Sequence, residues 1–263
     1  MIASRVLTAA SPAASPFLAY LRLEIRRTLR NRRYLLLTTV FPALLYVLYT
    51  AVLPVGASGT KDGLTWPQVF LVSMAAYGAI GAAMGQAAPI AMERRGGWVR
   101  QLRVTPLPGP AYVAVKVAAP VILTIPALAL VVAAATLVDH VQLGPGATLA
   151  TVGALALGSV PFAALGLLIG YVLDADSAQG GTVLAYFSLA ILGGLFAPLD
   201  TFPTWLATIG QVLPSSHLAS LGRAVAAGRQ PDVVDVAVLA AWSVGLGALA
   251  AWRYRRDERA GRA

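Results

Sequence analysis

Cysteine is absent from this chain, and histidine and charged residues are scarce. Without cysteine there can be no disulfide, no thiolate-bound zinc or iron–sulfur cluster, and no thiol catalysis. Histidine occurs only at His140 and His217, which nearly excludes a histidine-rich metal site. Charged residues make up 12% and hydrophobic residues 58% of the 263 residues, so the chain cannot cover a water-facing surface. Most of its outside must therefore face an apolar medium.

Five long stretches contain no Asp, Glu, Lys or Arg: 34–60, 64–92, 117–138, 140–173 and 177–199. Each can hold a helix that crosses the hydrocarbon core, which takes about 20 apolar residues. The sequence predicts an all-α polytopic membrane protein whose domain, 34–252, has six transmembrane helices. These spans are placed at about 34–53, 68–92, 117–138, 149–173, 180–198 and 236–252.

The basic residues are distributed unevenly between the connecting segments. Of the 20 Lys and Arg, 17 lie before the first span, in the loop after the second span, or after the last span. Basic flanks stay on the cytoplasmic side, so both termini are expected in the cytoplasm of a bacterial plasma-membrane protein. This bias accounts for the net charge of +9 without a nucleic-acid partner. Residues 1–15 are expected to be disordered, and 253–263 to form a basic cytoplasmic tail.

Residues 16–33 show the periodicity of an amphipathic helix. One face carries apolar side chains: Phe17, Leu18, Leu21, Ile25 and Leu29. Arg22, Arg26, Arg30 and Arg33 share the other face, and Glu24 lies in the same segment. Such a helix favours the membrane–water interface, near anionic lipid head groups. The alternative is a solvated basic extension that only sets the topology.

The loop 93–116 is longer than a simple helix–helix connection. After Gly96 and Gly97, a short helix with Trp98, Val99 and Leu102 on its apolar side and with Arg100 and Arg103 beside them is predicted. Thr105, Pro106, Pro108 and Pro110 would end it. Trp and Arg are favoured interface anchors, so this element suits protein docking. A tryptophan at the lipid head-group belt is the alternative.

Residues 198–228 are expected outside the cell and yet are not hydrophilic. Apolar residues follow helical spacing in two short pieces: Trp205, Leu206, Ile209, Val212 and Leu213 between Pro203 and Pro214, then Leu218, Leu221 and Val225. Each piece spans roughly 15 Å, half of a membrane crossing. A re-entrant or surface-lying helix pair is predicted, on which His217 and Arg223 are ordinary interfacial polar residues.

Sequence motifs for catalysis are missing. The chain has no phosphate-binding loop, no H-E-x-x-H and no G-x-S-x-G, so it is not expected to hydrolyse ATP, act as an enzyme or bind a cofactor or metal itself. Ser73, Tyr77, Gln86 and Tyr186 are polar positions within spans that could line a pathway or hydrogen-bond between helices. A multi-span protein with a docking element but no site for energy coupling points to a motor in a partner.

Three stretches resemble the permease subunits of type-2 ABC exporters, in the short-loop branch of antibiotic and lipid exporters. They are EIRRTLRNRRYLLLTTVFPALLY, ERRGGWVRQLRVTPLPGPAYVAVK and APLDTFPTWLATIGQVLPSSHLASLGRAVAAG. The second resembles the family's coupling helix and its flanks, at Glu93, Arg94, Gly97, Trp98, Leu102, Arg103, Thr105, Pro106 and Lys116. The third resembles the external re-entrant pair, at Pro198, Pro203, Trp205, Leu206, Pro214 and Arg223.

The resemblance implies partners and a mechanism. Two such chains, or this chain and a related permease, would surround the pathway in the lipid membrane. A separate cytoplasmic ABC ATPase, which binds ATP and Mg, would dock on the coupling loop. The cargo would be a hydrophobic or amphipathic drug, antibiotic or lipid-like molecule. The alternative is a stand-alone secondary carrier or channel, since a sodium site can be built from backbone carbonyls alone.

Overall fold

A computed structural model describes residues 15–52, 60–97 and 108–260. Helix α1 is Pro16–Leu29. A second helical stretch comprises α2 (Arg32–Leu35), a π-helical segment (Leu36–Val40) and α3 (Phe41–Val52). Strands β1 (Thr60–Lys61) and β2 (Leu64–Thr65) form a hairpin whose turn residues, Asp62 and Gly63, have φ values of 58° and 78°. An Asp-Gly pair suits such a turn because both positions need positive φ.

Ten further helical segments follow the hairpin in the described chain. They are α4 (Trp66–Met84), α5 (Ala87–Arg95), α6 (Gly109–Val138), α7 (Pro145–Gly158), α8 (Val160–Val172), α9 (Ala175–Leu192), a 3₁₀ turn (Leu199–Thr201), α10 (Thr204–Val212), α11 (Pro214–Ala226) and α12 (Val233–Ala260). Proline occupies the first turn of several of these helices, where its missing N–H costs no helical hydrogen bond.

The helix pair α4–α5 is the centre of the bundle. Its apolar window is 83% buried within the protein, against 17% for that of α12. Helices α3, α6, α8 and α11 pack around α4, while α12 lies at the periphery against α8 and α11. The hairpin end of the bundle is the end where α4 begins, next to β1 and β2. The cluster end is the end where α5 finishes, and it is named for the buried charges of Glu24, Glu93 and Lys116.

Within the part of the chain that the structure describes, four helical stretches are long and apolar enough to cross a membrane: Trp66–Arg95, Gly109–Val138, Pro145–Val172 and Val233–Arg256. Leu36–Val52 is a shorter apolar helix at the position of the predicted first span. The fold is thus that of an all-α polytopic membrane protein.

The segment predicted as the fifth span, 180–198, differs from the structure. Helix α9 covers Ala175–Leu192, so the chain leaves the helix well before residue 198. Gly193 caps the helix, and Gly194 has a φ of 74°, a conformation that favours glycine. The apolar residues that follow, Leu195 and Phe196, prolong the hydrophobic run without prolonging the helix, which explains the error.

The segment predicted as the third span, 117–138, also begins too late. Helix α6 starts at Gly109, so Lys116 lies inside a helix rather than at the end of a loop. The prediction placed the boundary at the charge because charges are costly within spans. In this structure the charge of Lys116 is compensated by carboxylates from two other helices.

Candidate functional site

A cluster of buried charges joins three helices at the cluster end. The ammonium of Lys116, on α6, lies 2.7 Å from Oε1 of Glu24, on α1, and 2.8 Å from Oε1 of Glu93, on α5. The Lys116 side chain is completely buried, and the two carboxylates are almost so. One cation therefore bridges two anions that are 69 residues apart in sequence.

Arg27 and Tyr112 complete the cluster. The Arg27 guanidinium donates to Oε1 of Glu93, while the Tyr112 hydroxyl donates to Oε2 of Glu93 over 3.2 Å. Two cations thus meet two anions, which leaves the cluster neutral. Partial burial by itself lowers the pKa of Arg27, but the charge and hydrogen bond of Glu93 outweigh it, so this pKa is raised.

Tyrosine rings enclose the lysine. The Lys116 ammonium lies 5.6 Å from the ring centre of Tyr112 and 6.0 Å from that of Tyr20, within the range of cation–π attraction. Tyr20 stacks on Tyr112 at 5.9 Å, and Tyr112 stacks on Tyr254 of α12 at 5.7 Å. The rings exclude water from the charges and bring the last helix into the same assembly.

Because the cluster is buried, its stability depends strongly on each of its members. Removing one partner from a buried ion pair typically costs about 3–5 kcal/mol, because the other charge is left without compensation in a poorly solvated place. Glu24, Glu93 and Lys116 can therefore be buried only together. The position of α1 is in this way fixed to the ends of α5 and α6.

The cluster closes the base of the loop between α5 and α6. Glu93 lies in the last turn of α5, before that loop, and Lys116 lies inside α6, after it. Lys116 contacts both Glu93 and α1. Gly97 has a φ of 69°, which lets the chain turn away after α5. These bonds join α5, α6 and α1 beside the loop.

The predicted coupling residues fall into two groups in the structure. Glu93 and Lys116 pair directly, and Arg94 donates to the carbonyl of Gly170 over 3.0 Å. Arg94 also lies 5.4 Å from the ring centre of Tyr171. Gly97 ends the described part of this segment. The others, Trp98, Leu102, Arg103, Thr105 and Pro106, lie outside the described residues.

Helix α1 contacts the rest of the protein through side chains that its apolar periodicity did not single out. Tyr20, Glu24 and Thr28 are buried, whereas Arg22, Arg26 and Arg30 are exposed. The apolar face predicted from the sequence is only partly covered, since Leu18 and Leu29 remain exposed. Sequence reasoning assigned Glu24 to this helix but missed its burial. The one available signal was an acidic residue standing alone among arginines.

The residues predicted to line a pathway are packed between helices within one chain. The Gln86 amide donates to the hydroxyl of Thr28 over 3.0 Å, and this bond ties α1 to the bend between α4 and α5. The hydroxyl of Tyr186 donates to the carbonyl of Tyr77 over 3.0 Å, and their rings stack at 4.5 Å. Ser73 is buried beside a cavity at the hairpin end.

That cavity, of about 180 Å³, lies between α4, the segment after α9, and α11. Pro198 and Arg223 are among its lining residues, together with Trp66, Phe70 and Phe196. Of the other residues predicted for this region, Pro203 is the N-cap residue of α10 and Pro214 is the first residue of α11, while Trp205 and Leu206 lie on α10.

Two side-chain contacts hold α11 in place at the hairpin end. His217 Nδ1 lies 2.6 Å from Oδ1 of Asp235, at the start of α12, and its Nε2 lies 2.8 Å from the carbonyl oxygen of Gln211. Arg223 Nε donates to Oδ2 of Asp62, in the hairpin turn, over 3.2 Å. His217 and Arg223 thus tie the two short helices to their neighbours. Among the described residues, no group of three or more His, Asp or Glu could hold a metal ion.

Comparison of the sequence with known proteins gives a family match and a similar protein. Residues 16–226 match the family described as ABC-2 type transporter. A Bacillus subtilis (strain 168) protein named "Putative transport permease YvfS" is 26% identical over 236 residues, which cover 89% of this chain and 95% of that protein. The family match extends from α1 to the end of α11 and includes all the residues of the charge cluster. This chain therefore belongs to the ABC-2 type transporter family.

Proposed function

We propose that this chain is the permease subunit of an ATP-driven exporter, with its charge cluster as the element that couples a cytoplasmic ATPase to the membrane helices. The family makes the chain a multi-pass membrane component of a transporter that lacks a catalytic site of its own. The observation that carries the finer proposal is the bridge from Lys116 to Glu24 and Glu93, because it joins both ends of the candidate docking loop to α1.

The contacts between chain segments support six membrane crossings. At the hairpin end, Asp62 pairs with Arg223, and the Gln68 amide donates to the carbonyl of Gln142 over 3.5 Å. The hairpin, the segment after α6, and α11 therefore lie at one end of the bundle.

The remaining connections lie at the cluster end. Arg94 bonds the carbonyl of Gly170, near the end of α8, and Arg95 lies 3.7 Å from Asp176, at the start of α9. The stacking of Tyr254 on Tyr112 places the last helix's carboxyl end there as well. These contacts support six passes with both termini at the cluster end, and the basic residues gathered there favour the cytoplasmic side for that end.

The coupling proposal assigns a part to each segment. Residues 98–107 dock on the ATPase, and Glu93 and Lys116 carry the movement of the loop into α5 and α6. Glu24 and Arg27 carry it into α1, at the membrane surface. The pathway forms between two permease chains, and its mostly apolar walls suit a hydrophobic or amphipathic cargo.

The proposal is tested by purifying the tagged protein from its native membranes in mild detergent and identifying co-purifying proteins by mass spectrometry. We expect a near-stoichiometric ATPase with a phosphate-binding loop, which is lost in the Trp98→Asp variant. The matched control is Trp205→Asp, the same change on an exposed tryptophan at the hairpin end, which should retain the ATPase.

Two results would contradict the proposal. An ATPase retained in full by Trp98→Asp, with normal export, would place the docking surface elsewhere. Solute flux driven by an ion gradient, in proteoliposomes that contain this chain without any ATPase, would favour a secondary carrier.

A further inference from the structure

A groove beside the charge cluster combines basic and apolar walls. It has a volume of about 850 Å³, within the range of about 300–1,000 Å³ of small-molecule sites. On the α1 side it is lined by Tyr20, Leu23, Glu24, Arg26, Arg27 and Arg30, and on the α5 side by Met92, Glu93 and Gly96. We propose that this groove binds the head group of an anionic phospholipid.

The exposed charge of the groove is positive. Glu24 and Glu93 are buried and are neutralised by Lys116 and Arg27, so they present little negative charge to the groove. Arg26 and Arg30 are exposed. Guanidinium groups bind phosphate oxygens through paired N–H donors, so the two arginines suit a phosphodiester.

The apolar walls select a lipid rather than a free anion. Leu23 and Met92 line the same groove with 53% and 63% of their surfaces exposed. Acyl chains next to a head group would cover these side chains, whereas a soluble phosphate would leave them in water.

The depth of the groove fits the same ligand. Met92 is near the end of the apolar stretch Trp66–Arg95, and Arg94 and Arg95 follow it. In the proposed membrane placement, basic residues at the end of a span lie where hydrocarbon gives way to the head-group layer. The cluster fixes α1 at this level. The inference rests on the proposed membrane placement of α1 but not on the ATPase, so it can be tested with the permease alone.

The experiment uses the full chain in detergent, with thermal stability and lipid retention in native mass spectrometry as readouts. Phosphatidylglycerol should raise the melting midpoint and be retained in preference to phosphatidylcholine. The double variant Arg26→Gln/Arg30→Gln should lower this preference on the order of tenfold, since each basic residue near an anionic surface contributes appreciably. Arg22→Gln is the matched control, because Arg22 is exposed on the same helix outside the groove.

Retention of the preference in Arg22→Gln together with its loss in the double variant would support the site. An equal loss in both variants would indicate diffuse attraction to the membrane and overturn it. Equal stabilisation by inorganic phosphate would also overturn it in favour of a simple anion site. If the double variant kept its lipid preference, the lipid proposal would fail while the proposed function stood, because that function does not depend on lipid binding in the groove.

Discussion

The two ends of the bundle use the same kind of ion pair in different surroundings. At the cluster end, the side chains of Lys116 and Glu24 are 0% and 2% exposed. At the hairpin end, Arg223 and Asp62 form a pair with 20% and 40% exposure. Water screens the second pair and not the first. Burial, rather than the number of ion pairs, therefore decides at which end the stability of the fold depends on the charged residues.

The His217–Asp235 contact lies between these extremes, with side chains 14% and 9% exposed. It links α11 to α12 without the enclosure by aromatic rings that surrounds Lys116. The comparison thus predicts an order of effects for substitutions, from the cluster through His217 to Arg223.

The largest effect is expected for Lys116→Met, which leaves Glu24 and Glu93 buried and facing each other without their shared cation. The destabilisation should be about 3–5 kcal/mol, seen as a marked fall in the melting midpoint of the detergent-solubilised protein. Adding Glu24→Gln should restore much of the loss, because Glu93 retains Arg27. A Lys116→Met protein with an unchanged midpoint would show that the cluster contributes nothing to stability.

An intermediate effect is expected for His217→Asn. The shorter side chain cannot reach both Asp235 and the carbonyl of Gln211, so a largely buried carboxylate loses its partner. The loss should be about 1–3 kcal/mol by the same melting measurement. His140→Asn is the control, because His140 is exposed with a φ of 52° that asparagine tolerates. Equal shifts in the two variants would argue against a specific role for the contact.

The smallest effect is expected for Arg223→Gln. An exposed pair contributes about 0–1 kcal/mol and is screened by salt, so the midpoint should fall slightly at low ionic strength and hardly at all in high salt. Melting curves of the variant and the parent at two salt concentrations measure this difference. A salt-independent loss of stability as large as that of Lys116→Met would contradict the expected difference between the two ends.

Much of the helical architecture could be predicted from the sequence because membrane crossing and helix ends depend on local composition. Apolar runs located the helices, and prolines at 203 and 214 marked the starts of α10 and α11. The predicted boundaries differ from the helix ends in two places. At Gly194 the apolar run continues beyond the end of the helix, and at Lys116 a charged residue lies inside a helix.

The candidate site was predicted only in pieces. Glu93 and Lys116 were assigned together to the coupling loop and Glu24 to the amphipathic helix, but no pattern joined Glu24 to the other two. Lys116 and Glu24 are separated by 92 positions, a distance at which a single sequence carries no sign of pairing. The interfacial position of α1 stays a prediction, and its periodicity gave no sign that Glu24 is buried against Lys116.

The sequence by itself determined that this is a helical membrane protein, since a chain with few charges and long apolar runs cannot cover a surface that faces water. It also determined that most of the basic residues lie near the ends and in one loop. Only the tertiary structure decided that Glu24, Arg27, Glu93 and Lys116 meet. The physical reason is that a buried charge is tolerated only where other charges compensate it, and those partners come from helices that the fold alone brings together.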